Sequence, residues 1–110
     1  MLLFVSYQLL GETDENEFRR WSRDVDIPAT RTLPGVKYFA GARDASAERK
    51  YIEFIQITDS MVASVDAWNA HVAKYMPASG QAQFAKYVDV ESVRIVSYEE
   101  TERFEVKDGH

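Results

Sequence analysis

An α+β fold with a four-stranded antiparallel sheet is predicted from three observations. Apolar and polar residues alternate, or run continuously apolar, in four short segments; apolar residues recur at helical spacing in others; and the elements follow one another as βαββαβ. The 110 residues, 45% hydrophobic, support one domain spanning residues 1–110 with a modest core.

Residues 2–10 are apolar on both faces until Gly11, as expected of a central strand. "GETDENEF" supplies a turn and a helix start, with Asp14 or Thr13 as N-cap and Glu17 three positions after Asp14. Phe18, Trp21 and Val25 form the buried stripe of this helix, and Pro28 should end or break it near Asp26. "LPGV" at 33–36 is a turn leading into the second strand, "VKYFAGARD", and "DASAER" is a polar hairpin connection. The third strand, "KYIEFIQIT", places Tyr51, Glu53, Ile55 and Ile57 on one face and Ile52, Phe54, Gln56 and Thr58 on the other. Asp59 or Ser60 should cap the next helix, whose stripe is Met61, Val65, Trp68, Val72 and Tyr75. Pro77 and Gly80 interrupt it, "QAQFAKYV" makes a further short helix, and "ESVRIVSYEE" is the last strand, with "RFEV" as an edge extension.

This order is the split βαβ, ferredoxin-like plan, in which both helices cover one face of the sheet. Strands one, three and four carry apolar residues on the other face too. A second copy packed sheet against sheet would bury that face, so an obligate homodimer, a dimeric α+β barrel, is expected.

Composition narrows the function. No cysteine is present, which removes thiolate nucleophiles, thiolate metal sites and disulfides and fits a reducing compartment, with the cytoplasm as the expected location. A net charge of -5 with scattered Lys and Arg argues against a nucleic-acid partner. "MLLFVSYQLL" lacks a basic flank and is too short to span a bilayer, so no membrane partner is expected. No Walker loop, GxGxxG, GxSxG or HExxH motif occurs. One internal histidine and no cysteine make a metal site weak, and neither metal nor cofactor is expected.

Several residues are candidates for chemistry. His71 lies on the boundary of its helix's apolar stripe, where an imidazole suits proton transfer near neutral pH but equally fits a half-exposed surface histidine. Glu53 shares a face with apolar neighbours and would need a partner such as His71 or Arg94; a cross-strand salt bridge explains it as well as catalysis does. Asp24 and Asp26 stand near the end of the first helix, close to a cleft mouth in this fold, where carboxylates oppose the helix dipole; simple solvation is the alternative. Among the many aromatic residues, Tyr7, Tyr38 and Trp68 are expected nearest a cavity, with Trp21 and Tyr75 along its wall; phenols can donate to a developing oxyanion, and rings can stack on an aromatic ligand.

The segment "FRRWSRDVDIPATRTLPGVKYF" resembles EthD-like dimeric α+β barrel proteins, in which a tryptophan-bearing helix leads through "HxP" to "LPGV" and a strand. Asp26 stands where that pattern usually has histidine, which implies a carboxylate as acid or base there. "NAHVAKY" is similar to the second helix of small barrel proteins that include a plant polyketide cyclase, whose helix histidine acts as base; Val65 occupies the spacing of its partner tyrosine. Length and "DVDIPAT" resemble the RedY/HapK group, associated with bacterial tripyrrole pigment pathways. The resemblance implies a cofactor-independent cyclase or condensation enzyme acting on a small aromatic biosynthetic intermediate. His71, Asp26, Glu53 and Tyr38 would then do the chemistry, while Tyr7, Trp21, Asp24, Trp68 and Tyr75 hold the substrate. A cofactor-free monooxygenase or haem-associated barrel, and a non-catalytic dimer that shields an intermediate, are the alternatives.

Overall fold

The structure, a computed structural model, describes residues 1–58 and 62–102, with residues 78 and 79 described by backbone alone. Strand β1 (Leu2–Leu9) is followed by α1 (Glu15–Trp21), a π-helical turn (Ser22–Asp26) and α2 (Ile27–Arg31). Strands β2 (Val36–Arg43) and β3 (Lys50–Ile57), helices α3 (Val65–Tyr75) and α4 (Ala78–Tyr87), and β4 (Val88–Tyr98) complete the chain. The four strands form one antiparallel sheet in the order β2-β3-β1-β4. This is the ferredoxin-like arrangement, with β1 and β3 in the middle.

Local chemistry accounts for the boundaries. Asp14 caps α1, its side chain accepting from the Glu17 N–H at 3.0 Å. The first helix does not stop near Asp26, as expected from Pro28; it continues to Arg31 through the π-turn. There the Ile27 N–H bonds back five residues to the Ser22 carbonyl. The wider turn accommodates a residue that has no N–H to give and whose ring would clash with an α-helical carbonyl. Gly35, at φ 82°, supplies the left-handed residue that the turn into β2 requires.

The cap of α3 is Ser64, which accepts from the Ala67 N–H at 3.1 Å. The expected caps Asp59 and Ser60, the stripe residue Met61 and the "RFEV" extension lie outside the described residues. Tyr75, expected on the buried stripe of α3, is 44% exposed. The inward positions run instead through Trp68, Val72 and Met76. Helix α4 starts three residues earlier than the "QAQFAKYV" segment, directly after Pro77, and β4 starts at Val88 rather than at Glu91.

The core lies between the sheet and the helices. Leu3, Ile55, Ile57, Phe18, Val62 and Val88 are all but sealed from solvent. Along β1 the odd-numbered residues Leu3, Val5, Tyr7 and Leu9 are buried, whereas Ser6 and Gln8 on the opposite face are exposed. That opposite face carries its own aromatic cluster. Phe4 meets Phe54 edge-on at 4.9 Å and Tyr98 at 5.2 Å, and Tyr38 packs on Phe54 at 5.8 Å, with no helix of the described residues over them.

Candidate functional site

A cavity of about 430 Å³ opens between the sheet and helices α2, α3 and α4, within the size range of small-molecule sites. Its walls are mostly apolar: Val5, Ile55, Val93 and Ile95 from the strands, and Trp68, Val72, Met76 and Phe84 from the helices. Into this surface project Asp26, Glu53, Thr30, Asn69 and Gln81, and among the described residues no Lys, Arg or His lines it.

Glu53 occupies the middle of β3, between Tyr51 and Ile55 on the helix-covered face. Strand alternation therefore sends its carboxyl inward, as expected. The π-turn brings Asp26 to meet it. Two residues earlier, Asp24 points nearly the opposite way round the helix, into solvent, where it pairs with Arg23 at 2.9 Å. Asp26 and Glu53 hydrogen-bond through their side chains, and the Tyr7 hydroxyl donates to Glu53 Oε1 at 3.2 Å. Thr30, one turn on, donates through its hydroxyl to the Asp26 backbone carbonyl at 2.9 Å and braces the turn.

The electrostatics follow from this placement. Burial pushes the Glu53 carboxyl up to about 8, and the negative charge of Asp26 adds to the shift. Burial also raises Asp26, to about 6, against the lowering effect of its hydrogen bond with Glu53. Two carboxyls in contact in a poorly solvated wall do not both ionise near neutrality, so the pair holds one proton between them. Tyr7 is raised as well, by burial first and then by the charges of Glu53 and Asp26, so its phenol stays protonated and remains a donor.

The other expected site residues are distributed differently. Trp68 lines the cavity as expected. Trp21 does not; it is packed in the aromatic core beside Phe18 and Tyr87, its indole N–H donating to Gln83 Oε1 at 2.7 Å. Tyr38 lies on the uncovered sheet face with Phe54, so within one chain it is separated from Glu53 by the sheet. Tyr75 is on the outer side of α3, its ring 4.9 Å from that of His71.

His71 is neither at a cleft edge nor in water. It is 8% exposed, and its Nε2–H donates to the Pro34 carbonyl at 2.8 Å. At helical spacing it sits roughly 110° round α3 from the centre of the cavity-facing residues. Neither His71 nor Arg94 is the partner of Glu53. Arg94 pairs in register with the exposed Ser6 and donates to the carbonyls of Glu91 and Val93.

Sequence reasoning missed Asn69 and Gln81. Asn69 was legible in principle, since Val65, Asn69, Val72 and Met76 recur on one side of a helix and a polar residue among them marks a wall that is not pure core. Gln81 had no such signal, because its orientation depends on how α4 restarts after Pro77. Among the described residues no group of three or more His, Cys, Asp or Glu side chains is arranged to hold a metal ion, and no helix is long and apolar enough to cross a membrane.

Comparison with known proteins adds a family to this geometry. The family model described as REDY-like protein HapK matches residues 1–101. The chain belongs to the REDY-like HapK family. Its fold is similar to that of HapK from Hahella chejuensis, at 21% identity and a TM-score of 0.63, covering 96% of this chain and 100% of that one. Similarity of fold extends to At3g17210 from Arabidopsis thaliana, at 13% identity and a TM-score of 0.65, with 94% and 97% of the two chains covered. A putative antibiotic biosynthesis monooxygenase from Deinococcus radiodurans matches at 17% identity and a TM-score of 0.56, with 98% and 100% covered. No curated protein matches the chain. For this REDY-like HapK family member, the structural matches establish the shared fold, and the chemistry has to be argued from the cavity.

Proposed function

We propose that this protein is a small cofactor-independent cyclase or condensation enzyme of specialised metabolism, acting on an electron-rich aromatic intermediate of indole or pyrrole type. The observation that carries the reading is the contact between the Asp26 and Glu53 carboxyls in the wall of an otherwise apolar cavity, where burial raises both above the usual carboxylate range. Such a pair offers an acid and a base side by side at neutral pH.

In the reaction an aromatic ring carbon attacks a carbonyl carbon. The ring's π pair forms the new C–C bond, the carbonyl π pair moves onto oxygen, and that oxygen takes the proton from Glu53. The ring carbon then gives up its hydrogen to Asp26, and the C–H electron pair restores aromaticity. Asp26 now holds the proton and Glu53 is the carboxylate; transfer across their hydrogen bond resets the pair. Tyr7 donates to whichever charge remains on Glu53. Trp68 and Phe84 stack on the flat substrate, and the apolar wall excludes water.

His71 has a supporting part in this scheme, tying α3 to the turn before β2 through Pro34. A haem-ligating His71 would first have to give up that hydrogen bond. The functional unit in the proposal is a homodimer in which the aromatic cluster around Phe4 and Phe54 is covered by a second copy.

The test is product formation, followed by mass spectrometry, from indole- and pyrrole-bearing carbonyl compounds. Glu53→Gln and Asp26→Asn are each expected to lower turnover by about 10²–10⁴-fold, the usual worth of a positioned acid or base. Turnover unchanged in both variants would overturn the assignment.

A further inference from the structure

Glu53 is shared between two hollows. Besides the apolar cavity, it lines a second one of about 260 Å³ between α1, the π-turn and strands β2 and β3. The two have opposite character. Among the described residues no basic side chain lines the first, whereas Arg19, Arg23 and Arg43 stand round the second, in a chain of net charge -5.

Arg43 is oriented by Glu15 at 3.5 Å, and Glu15 also accepts from the Tyr51 hydroxyl at 2.8 Å. Arg23 holds Asp24 in an exposed pair, which binds weakly and exchanges readily. Arg19 has no acidic partner among the described residues. The guanidinium groups therefore have donors to spare at the mouth of the hollow.

The space itself is opened by a glycine. Gly41 is the cross-strand partner of Glu53, and a Cβ built there would meet nothing within 4 Å. Its φ is not in the left-handed region, so the strand does not require glycine for its backbone. The missing side chain leaves room directly beside Glu53.

We infer that this second hollow is a carboxylate subsite for the carbonyl substrate, a short 2-oxo acid whose carboxylate lies against Arg19, Arg23 and Arg43 while its carbonyl points at Glu53. The inference rests on the condensation reading for its role in turnover, but the binding site stands on the arginines and the Gly41 gap. Arginine suits a planar carboxylate because two of its N–H groups can bond both oxygens at once. The carbonyl of a 2-oxo acid is one bond from the carboxylate, so anchoring the anion at the rim directs the electrophilic carbon inward. The aromatic nucleophile then approaches from the apolar cavity, and the Glu53 proton passes to the carbonyl oxygen as the C–C bond forms.

The experiment is calorimetric titration with pyruvate and with its uncharged methyl ester, using the parent protein, Arg19→Gln and Gly41→Leu. Indole binding is followed in parallel by tryptophan fluorescence. Pyruvate is expected to bind at one site per chain, with the ester at least about tenfold weaker. Each variant should raise the pyruvate Kd by a similar factor while leaving indole binding and the melting temperature unchanged. Equal binding of ester and acid, or pyruvate binding unaffected by either substitution, overturns the subsite. If Gly41→Leu perturbs folding, Arg19→Gln decides alone, since its side chain is exposed. Normal pyruvate binding combined with unchanged turnover in Glu53→Gln would instead overturn the condensation reading and leave the subsite standing.

Discussion

Glu53 and Asp26 are two carboxyls that evolution could have kept apart by one residue's rotation, and their contact has a measurable thermodynamic signature. Both titrate higher in the folded chain than the ordinary carboxylate range of the unfolded one. Between that range and about pH 8 the folded state therefore holds more protons, and stability falls as pH rises through this window. Above it the full cost of a doubly ionised pair is present. Glu53→Gln is expected to be more stable than the parent at pH 9, by on the order of 2 kcal/mol, with the difference shrinking toward pH 5. Chemical denaturation across that pH range measures it; a constant difference would mean that the pair does not share a proton. At this scale the sequence was half legible. Strand alternation in "YIEFI" was enough to send Glu53 inward, and the aspartate before "IPAT" drew attention to Asp26. That the two meet depends on a helical irregularity that periodicity analysis assumes away. His71 misled for a related reason: its nearness to the apolar stripe was visible, but the carbonyl that satisfies it comes from Pro34, 37 residues away in sequence.

Helix α3 carries two separable tasks along its length. Trp68, Asn69, Val72 and Met76 face the cavity, while His71 fastens the helix to the turn between α2 and β2. Replacing His71 with Ala removes one hydrogen bond and leaves the Pro34 carbonyl without it, at a cost of about 1–2 kcal/mol. The expected outcome is a lower melting temperature with turnover per folded molecule within about threefold of the parent. A loss of turnover as large as that of Glu53→Gln, without loss of stability, would return His71 to the chemistry. Strands and the cap of α1 were the most legible elements, because alternation and the Asp14 cap are local properties. The end of the first helix was not: Pro28 reads as a stop, and the π-turn that carries the helix past it, with the Ile27 N–H bonded back to the Ser22 carbonyl, leaves no signal in the apolar spacing. The cap of α3 likewise falls at Ser64 rather than at the expected Asp59 or Ser60, since residues 62–64 are non-helical.

For the molecule as a whole, the uncovered sheet face is the dominant unfinished surface. Phe4, Phe54, Tyr38, Val96 and Tyr98 share it, and three of them are exposed: Tyr38 at 53%, Val96 at 46% and Tyr98 at 51%. An apolar patch of this kind, rimmed by Lys50 and Arg94, fits a two-fold partner sheet. Phe54→Glu is expected to convert a dimer into a monomer in analytical ultracentrifugation while the chain stays folded; a parent that sediments as a monomer would sink the dimer proposal. The π-turn, finally, changes how chains of this family are to be compared. A π-turn spends one more residue than the α-helix it interrupts. A relative whose helix runs unbroken through this region has one residue fewer there. Aligned without a gap, its residue opposite Asp26 would aim about 100° elsewhere. Identity in that column then says nothing about the cavity, and a shared acid pair has to be sought by counting turns from Trp21 rather than by matching letters.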